Sequence, residues 1–407
     1  MRVVVAGAGV FGAAAALELR RRGHAVALLD PGPLPHPLAA STDASKIVRL
    51  DYGADALTTA LMERALPRWR AWNEDLRHAG EPPAFHETGL LVLSGRALEP
   101  GTFEGDSFAL LTARGHRLLR LDAAALARRH PAFAAGRFAD GYWNPQGGWA
   151  ESGRVSAWLA HRARDAGATL HEGLHACDLL QAGGRVAGLR ARDAAGHVRA
   201  LPADAVVLAA GAWTGTLVPE LRADPPPLRV VGQTVLFFRP ERPEALRAPA
   251  LPPFTADIAR TGFYGFPALP DGRVKLANHG VGTLLSDADA PRPVDPGFEL
   301  QAREFLRGAL PGLANAPLAE SRLCLYCDTP DGHFLVDEHP RLPGLWLAAG
   351  GSGHAFKFAP LLGELLADAL ERKEGSPHAA FLARCRWRAG GAGRGDGARA
   401  GGPIPTS

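Results

Sequence analysis

The N-terminal stretch MRVVVAGAGVFGAAAALELRRRGHAVALLD, residues 1–30, decides the fold. Its apolar, β-branched run Arg2–Ala6 predicts a buried strand, and the Ala/Leu-rich run Gly12–Arg22 predicts a helix that ends at Gly23. A second apolar run, Ala25–Leu29, predicts another buried strand. Two buried strands joined by a helix form a β-α-β unit, in which the strands lie parallel in one sheet.

A glycine-rich turn, Gly7-Ala8-Gly9-Val10-Phe11-Gly12, joins the first strand to the helix. Glycine at these points permits a tight turn, close approach of the backbone to a pyrophosphate, and close contact between helix and strand. The helix N-terminus then faces the phosphates. Asp30 ends the second strand 21 positions after Gly9, where a carboxylate can accept hydrogen bonds from ribose hydroxyls. The unit predicts dinucleotide binding and disfavours NADP, but FAD and NAD both remain open; a glycine turn without a ligand is the alternative.

Length and charge narrow the class of protein. The chain has 407 residues, 46% of them hydrophobic, which suits two domains that share a core. Among its 45 basic residues only four are lysines, namely Lys46, Lys275, Lys357 and Lys373. The arginines are scattered among acidic residues and form no basic block, so a nucleic-acid partner is not expected.

The cysteines and the apolar runs bear on the cellular compartment. Four cysteines, Cys177, Cys324, Cys327 and Cys385, do not make a disulfide scaffold in a chain of this length. No uninterrupted apolar run is long enough to cross a bilayer. The apolar N-terminus resembles a signal peptide, but the glycine pattern runs through it and a charged helix end follows instead of a cleavage site. We expect a cytoplasmic protein without a membrane partner.

Further along the chain, predicted helices alternate with short apolar strands near both ends, and strand-rich sequence lies between. The segment Glu99–Asp106 and the Pro-rich stretches near 225–227 and 249–253 are predicted to be loops. Helices are predicted at 55–77, 152–167, 298–310 and 361–371, and strands at 90–93, 168–172, 186–190, 205–209, 230–238, 272–277 and 345–349. This order predicts an α/β nucleotide-binding domain assembled from separated segments, with a β-rich domain inserted. The Gly/Ala/Arg-rich residues 388–407 are predicted to be a disordered tail.

Further segments, in this order, are similar to the monomeric sarcosine oxidase family, which includes N-methyltryptophan, pipecolate and fructosyl-amine oxidases. They are Ser41–Arg49, Gly211–Trp213, Tyr264–Pro267, Lys275–His279, Cys324–Phe334 and Gly351–Phe358. The resemblance covers nearly all of residues 1–370. It implies a Rossmann-like FAD-binding domain (1–88, 150–218 and 320–387) and an inserted, β-sheet-rich substrate-binding domain (89–149 and 219–319).

The resemblance also implies roles for residues at the cofactor. Cys324 matches the cysteine that joins the flavin through a thioether, so the FAD is expected to be covalent. A C-x-x-C metal or redox motif at Cys324 and Cys327 is the alternative, but no second cysteine or histidine pair completes a zinc site, and no metal is expected. The remaining cofactor positions are Ser41, Thr42, Lys46, Gly211, Trp213, Gly351, Gly353, His354 and Lys357, beside the loop residues Gly7, Gly9, Val10, Phe11, Gly12 and Asp30.

Lys275 matches the residue that activates oxygen in this family. An ammonium stabilises the superoxide that forms first when oxygen is reduced, and this feature separates an oxidase from a dehydrogenase on the same fold. Lysine scarcity supports the match, because three of the four lysines fall within the similar segments. A surface lysine on a strand is the alternative.

The substrate side of the expected site combines cations with aromatic rings. Arg49 and Lys357 match the pair that holds the substrate carboxylate, and Lys46 lies close by in the pattern. A structural ion pair of Arg49 with Asp43 or Asp51 is the alternative. The residues that match the lining of the flavin's substrate side are Tyr264, Tyr326 and His279, the last of which is also explained by ordinary packing.

Departures from the family pattern bear on the substrate. Family members with sarcosine as substrate carry Arg, His and Tyr where this chain has Lys46, Thr42 and Asn278. The chain is in this respect more similar to the pipecolate, saccharopine and fructosyl-amine branch, so a bulkier secondary amine than sarcosine is expected, with O2 as acceptor. A glycine-type oxidase, a flavin dehydrogenase with another acceptor, and a nucleotide-binding subunit without chemistry are the alternatives. The family suggests a monomer.

Overall fold

The computed structural model describes residues 1–387, and the predicted disordered tail, 388–407, lies outside the described residues. The helices are, in chain order, α1 (Val10–Arg21), α2 (Ala56–His78), α3 (Phe103–Ala113), α4 (Ala123–Arg129), α5 (Ser152–Asp165), α6 (Pro219–Ala223), α7 (Ile258–Thr261), α8 (Pro296–Ala309), α9 (Pro311–Ala314), α10 (Ala359–Leu370) and α11 (Ala379–Leu382). Short 3-10 turns occupy Gly211–Thr216, Pro243–Leu246 and Ala355–Phe358.

The strands are, in chain order, β1 (Arg2–Ala6), β2 (Ala25–Asp30), β3 (Lys46–Val48), β4 (Phe85–His86), β5 (Leu90–Ser94), β6 (Leu119–Arg120), β7 (Asp140–Asn144), β8 (Gly148–Ala150), β9 (Thr169–Glu172), β10 (His175–Ala182), β11 (Arg185–Arg192), β12 (Val198–Pro202), β13 (Ala205–Leu208), β14 (Arg229–Phe238), β15 (Phe254–Ala256), β16 (Phe263–Ala268), β17 (Val274–Asn278), β18 (Thr283–Leu285), β19 (Leu318–Asp328), β20 (Leu335–Glu338) and β21 (Leu345–Ala349).

A six-stranded sheet forms the nucleotide-binding part, in the order β20-β21-β13-β1-β2-β9. Its strands run parallel except for β20, which pairs antiparallel with β21. Val3 and Val5 of β1 face a core that includes residues of α1, α2, α5 and α10, whereas Val4 and Ala6 face a second core with β10 and β11. Burial of both faces explains why these strands are continuous apolar runs.

A nine-stranded, mostly antiparallel sheet forms the second part, with the path β18-β14-β17-β16-β15-β5-β7-β6 and with β19 paired to β14. Helix α8 packs on this sheet through Phe305 and Leu306. Two small sheets, β10-β11-β12 and β3-β8-β4, complete the architecture. The predicted α/β class is therefore confirmed, and within residues 1–387 no helix is both long and apolar enough to cross a bilayer.

The segment Glu99–Asp106 is the part of the fold where the prediction was wrong. Helix α3 begins at Phe103, inside the predicted loop, and runs to Ala113. Two glycines suggested a loop, but Thr102 caps the helix by accepting a hydrogen bond from the Gly105 amide, and Glu104 and Asp106 lie in its first turn. Thr102 and the acids after it are the sequence signal for this helix.

Candidate active site

A cleft with a volume of about 370 Å³ opens at the carboxyl ends of the parallel strands. Its walls include the residues that follow β1, β2, β13 and β21, which is where open α/β sheets bind ligands. Strand β19 of the nine-stranded sheet closes another side through Leu325, Tyr326 and Cys327. The cleft therefore lies between the two main sheets.

The glycine-rich turn has the conformation that its sequence predicts. Gly7 has a φ of +102°, and a Cβ there would lie 2.6 Å from the Ala209 carbonyl oxygen. A Cβ on Gly12 would collide with the Gly7 carbonyl oxygen, so Gly12 permits the close approach of helix and strand. A Cβ on Gly9 would meet only the Ser41 hydroxyl, at 3.3 Å, and Gly9 lines the cleft. Gly9 therefore leaves room for a ligand at the start of α1.

Asp30 holds this turn in place. Its buried carboxylate accepts hydrogen bonds from the Ala8 amide at 2.8 Å and from the Gly32 amide at 3.1 Å, and the residue also lines the cleft. The Ser41 hydroxyl accepts a hydrogen bond from the Val10 amide at 3.3 Å. Val10 and Phe11 line the cleft beside them, so the predicted loop residues are assembled around one opening.

The cleft wall contains further predicted positions. Gly211, Trp213, Gly351 and Gly353 all line it. The Trp213 Nε1 donates a hydrogen bond of 2.7 Å to Asp289. Gly353 has a φ of +74°, and a Cβ there would lie 2.2 Å from the ring of Tyr326. Glycine at 353 therefore makes room for that ring.

Tyr326, Tyr264 and His279 form an aromatic group next to Gly353. The two tyrosines are hydrogen-bonded, and burial, followed by the proximity of Tyr326, raises the pKa of Tyr264 well above its ordinary value. The rings of His279 and Tyr326 lie 6.1 Å apart between centroids, and His279 is buried. The structure thus brings together the three side chains that the resemblance places on the substrate side.

A buried cluster of charges around Asp43 lies behind the aromatic group. The Lys275 ammonium donates hydrogen bonds to Asp43 Oδ2 at 2.6 Å and to the Ser45 carbonyl oxygen at 2.7 Å. Lys46 lies 3.4 Å from the same carboxylate oxygen, and Arg322 donates to the other oxygen. The Lys275 nitrogen also lies 4.6 Å from the centroid of the Phe266 ring. One carboxylate therefore serves three cations.

The pKa values in this Asp43 cluster follow from burial and charge. Burial lowers the pKa of Lys275 to about 8, although Asp43 acts in the opposite direction. Burial alone would raise the pKa of Asp43, but Lys275, Lys46 and Arg322 hold it well below its ordinary value. The pKa of Lys46 is raised because Cys324 and Asp43 outweigh burial. Asp43 therefore remains ionised, while Lys275 changes charge near pH 8.

Arg49 and Lys357 lie around one aromatic ring, that of Tyr52. The Arg49 guanidinium carbon is 4.8 Å and the Lys357 nitrogen 5.4 Å from its centroid, and both side chains are buried. Lys357 donates a hydrogen bond of 2.8 Å to the His354 carbonyl oxygen. The Tyr52 hydroxyl lies 3.3 Å from the His354 ring nitrogen Nδ1. The predicted carboxylate-binding pair is thus brought together.

Asp51 lies within electrostatic reach of Arg49. Burial raises the pKa of Asp51, and the opposing causes are the Tyr142 hydroxyl, which donates to it, and the Arg49 charge. Asp43, the other partner considered for Arg49, is occupied by Lys275, Lys46 and Arg322. Phe103 of α3 contributes a second ring 5.4 Å from the Arg49 guanidinium.

Cys324 and Cys327 differ sharply in environment although both lie on β19. Three positions separate them, so their side chains point to opposite faces of the strand. Burial raises the pKa of Cys327 to about 12. Cys324 is half-buried, and Lys46 and Arg292 lie within electrostatic reach of its sulfur. Among residues 1–387 no group of His, Cys, Asp or Glu is arranged to hold a metal, which disfavours the C-x-x-C metal alternative.

Some predicted residues lie away from the cleft surface. Thr42 is not part of the lining. Its methyl group lies near Gly153 instead, 3.6 Å from where a Cβ on that glycine would be. The predicted cofactor positions outside the lining are Gly12, Thr42, Cys324, His354 and Lys357, and the predicted substrate-side and oxygen-side residues outside it are Arg49, Tyr264, Lys275 and His279. Asp43, as the partner of Lys275, and Arg322 were missed by sequence reasoning. Arg322 alternates with Cys324 on β19, which was the available signal.

The fold and the cleft define a dinucleotide-dependent oxidoreductase with its site between two sheets. A sequence profile described as FAD dependent oxidoreductase matches residues 2–369, and the chain belongs to that family. The residues fit the cofactor, because Gly9 leaves space at the cleft and, as the N-cap residue of α1, has no side chain between the helix N-terminus and a ligand. FAD supplies hydride-accepting chemistry when it is bound.

The proteins that are similar to this chain include several amine oxidases. Monomeric sarcosine oxidase of Bacillus sp. (strain B-0618) is 28% identical over 371 residues, 89% of this chain and 90% of that protein. N-methyl-L-tryptophan oxidase of Salmonella arizonae is 29% identical over 377 residues, 91% and 95% of the two chains. The solved structure of fructosamine oxidase (Amadoriase II) of Aspergillus fumigatus is 25% identical, has a TM-score of 0.81, and covers 99% of this chain and 94% of its own. The resemblance to amine oxidases is therefore confirmed.

Proposed function

We propose that this protein oxidises the C–N bond of a secondary, N-substituted or cyclic amino acid and passes the electrons to O2. The products are an imine, which hydrolyses, and H2O2. The observation that carries the proposal is the pair of buried cations, Arg49 and Lys357, on the ring of Tyr52 beside the cleft. A guanidinium and an ammonium on one ring suit a substrate that carries a carboxylate, as an amino acid does.

Arg49 and Lys357 would position the substrate. A guanidinium binds a carboxylate through two parallel hydrogen bonds, and an ammonium adds a point charge. Lys357 follows Phe356, which lines the cleft, so a carboxylate held there lies next to the ligand space. Fixing the substrate at both oxygens orients its amine carbon, and such positioning is a large part of rate acceleration.

Tyr264, Tyr326 and His279 would surround the amine. The reacting species is the neutral amine, and burial beside cations lowers the pKa of an amine. Lys46 and Lys275 belong to the Asp43 cluster, and Lys46 and Asp43 lie within electrostatic reach of Tyr264. His279 is placed to influence this ionisation through Tyr326. Tyr326 lines the cleft, and no strong general base is required.

Lys275 would support the reaction with oxygen. Its ammonium is fully buried, and a positive charge at that place stabilises a developing superoxide anion. Asp43 shares this charge at 2.6 Å, which favours a second candidate function, a flavin dehydrogenase with another acceptor. The two candidates differ in the rate at which the reduced protein reacts with O2, which stopped-flow mixing measures.

Cys324 would carry the covalent link to FAD. A thiolate is the nucleophile in thioether formation, and neighbouring cations favour it. Lys46 and Arg292 provide those cations at Cys324, whereas the buried Cys327 keeps its proton. Acid precipitation tests this link: the pellet should be yellow, and Cys324→Ala should release the colour into the supernatant. Cys327→Ala is the matched control and should keep a yellow pellet; a colourless wild-type pellet would refute the covalent link.

The substrate is proposed to be bulkier than sarcosine. By the resemblance, Asn278 stands where sarcosine-oxidising members have an aromatic residue, and its smaller side chain donates a hydrogen bond of 2.8 Å to the Thr261 carbonyl oxygen. The proteins similar to this chain act, by their names, on sarcosine, N-methyl-L-tryptophan and fructosamine. A glycine-type activity remains the alternative; the glycine oxidase of Geobacillus kaustophilus shares the fold at 24% identity.

Oxygen uptake against a panel of amines tests the reaction. The panel holds sarcosine, L-proline, L-pipecolate, N-methyl-L-tryptophan, saccharopine, fructosyl-glycine and glycine, at mildly alkaline pH. Uptake with peroxide formation on a secondary amine, and little on glycine, supports the proposal. Uptake on glycine alone would select the alternative. Yellow protein that dithionite reduces but no amine in the panel reduces would contradict the proposed substrate class.

The proposal also covers the domain division, the oligomeric state and the cellular compartment of the protein. The domain division at residues 89, 150, 219 and 320 would separate FAD binding from substrate binding. The protein is proposed to be a monomer in the cytoplasm. The name of the similar monomeric sarcosine oxidases supports the monomeric state. Size-exclusion chromatography with light scattering should give the mass of one chain, 42.9 kDa.

A further inference from the structure

Three tryptophans form a continuous line of ring contacts that starts at the cleft. Phe356 lines the cleft, and its ring centroid lies 5.8 Å from that of Trp69. Trp69 is 5.1 Å from Trp72, and Trp72 is 5.3 Å from Trp158. The first two indoles come from α2 and the third from α5. The line therefore joins rings from two rigid helices.

Exposure increases along this line. Trp69 is 1% exposed, whereas Trp72 and Trp158 are half-buried. The Trp69 indole nitrogen donates a hydrogen bond of 2.7 Å to the Lys357 carbonyl oxygen, which fixes the inner ring next to the cleft wall. Only Phe356 separates Trp69 from the cleft in this line. The tryptophan line thus connects the cofactor site with solvent.

Indole is among the side chains that lose an electron most easily. Electron transfer slows steeply with distance, so rings in contact pass single electrons faster than rings apart. The centroid distances in this line are those of touching aromatic rings. The chain contains eight tryptophans, and these three lie in one contact line with its end at the cleft. Core packing alone explains the buried Trp69 but not why the line continues to solvent.

We propose that Trp69, Trp72 and Trp158 form an electron-transfer path that delivers single electrons from the protein surface to an oxidising group in the cleft. The oxidant is light-excited oxidised flavin. The path would then give the protein a light-driven, one-electron reduction of its flavin that is separate from amine oxidation.

The electrons and protons balance along the path. One electron leaves the Trp69 indole for the oxidant, Trp72 then reduces the oxidised Trp69, and Trp158 reduces Trp72. The Trp158 radical cation loses its indole proton to water. The Arg162 guanidinium, 5.4 Å from the Trp158 ring, disfavours a lasting positive charge there and so favours this loss. A thiol at the surface returns one electron and one proton to Trp158 and becomes a thiyl radical.

Light-driven reduction of the yellow holoprotein tests the path without any amine. The sample contains dithiothreitol and no oxygen, and blue light excites the flavin. Flash absorbance follows the indolyl radical, and steady absorbance follows bleaching of the flavin. The wild-type protein should show a tryptophan radical and rapid bleaching. Trp158→Phe should still form a radical, but the electron should return from the inner rings, so bleaching slows. Trp69→Phe should lose both signals.

The control is Trp143→Phe, a tryptophan of β7 that stacks near His130 and lies outside the line. It should behave as the wild type. If Trp69→Phe does not retain flavin, Trp72→Phe, with a half-buried ring, carries the test and should lose the late radical. Undiminished bleaching in Trp69→Phe and Trp72→Phe, or a radical on tyrosine alone, would overturn the proposal. Failure of the amine-oxidase proposal would appear in the oxygen-uptake panel and leave these signals unchanged.

Discussion

The glycine-rich turn and the Asp43 cluster are two binding regions built in opposite ways. The turn draws its side-chain hydrogen bonds from nearby in the chain, as in the 2.8 Å hydrogen bond from the Ala8 amide to Asp30, 22 positions away. The Asp43 cluster joins residues far apart in the chain, since Asp43 and Lys275 are 232 positions apart. The first region can be read from a local pattern, whereas the second exists only after folding.

This difference separates what each region can do. Backbone amides and a helix N-terminus fix a phosphate in one geometry and do not titrate near neutral pH. The Asp43 cluster contains Lys275, whose pKa burial lowers to about 8, so its charge responds to pH and to its neighbours. We therefore expect the turn to anchor the cofactor and, under the proposed function, the Asp43 cluster to adjust reactivity with the acceptor.

The largest effect is expected in the turn. Gly9→Ala should abolish FAD binding, because the added methyl group fills the space that Gly9 leaves at the cleft. The φ of Gly9 is −65°, so alanine fits the backbone, and the stability of the protein without FAD should fall by only about 1 kcal/mol. Visible absorbance measures bound flavin, and thermal unfolding measures stability. Gly312→Ala, in open space, is the control and should stay yellow. A fully yellow Gly9→Ala protein would show that the turn does not approach the cofactor.

The next effect is expected in the Asp43 cluster. Lys275→Met should slow reoxidation of the reduced protein by roughly 100- to 1,000-fold, the cost of removing one preorganised electrostatic group. Reduction by substrate should change little, because Lys275 does not belong to the carboxylate-binding pair. Stopped-flow absorbance separates the two half-reactions. An unchanged reoxidation rate would favour the dehydrogenase candidate.

A smaller effect is expected at the carboxylate-binding pair. Arg49→Lys keeps the charge near Asp51 but loses the two-pronged geometry, so about 1.5–3 kcal/mol of binding is lost. The KM of an amino-acid substrate should then rise roughly tenfold to 150-fold. An N-methylamine without a carboxylate is the control substrate, and its KM should not change. Equal changes for both amines would assign Arg49 a structural role with Asp51.

The smallest effect concerns pH. Lys275 is protonated below its pKa of about 8, so reoxidation should slow as the pH rises through 8, by about tenfold per pH unit above it. Asp43→Asn removes a carboxylate that raises this pKa, so the decline should begin at a lower pH. Reoxidation rates over pH 6–10 check both statements. A flat profile through pH 8 would mean that the charge of Lys275 does not limit the reaction.

Much of the fold could be predicted, because the decisive patterns are local. Val3–Ala6 and Val26–Leu29 are buried on both faces, and runs of that kind identify parallel strands. Helix α1 begins at Val10, two residues before the prediction, because Gly9 serves as its N-cap. Helix α3 was not predicted; its segment combines two glycines, which disfavour a helix, with the Thr102 cap, which favours one. Such a competition between signals is decided by tertiary packing, here the contacts of Phe103 with Ile258.

The site was less accessible to prediction. A family pattern identified Lys275 but not its partner, since a buried lysine requires a counter-charge that no local spacing specifies. Asp43 was considered only as a partner of Arg49, and the structure assigns it to Lys275, Lys46 and Arg322 instead. Arg49 and Lys357 meet at Tyr52 across more than 300 positions, which only the fold determines.

Anaerobic reduction of the yellow protein is the most direct test of the central claim that this cleft oxidises secondary amino acids. L-pipecolate and the other secondary amines of the panel are mixed with the protein in the absence of oxygen, and the visible flavin absorbance is followed. We expect at least one of them to bleach the flavin, whichever acceptor the protein uses later. If dithionite bleaches the flavin but no secondary amino acid does, the proposed oxidation of secondary amino acids is wrong.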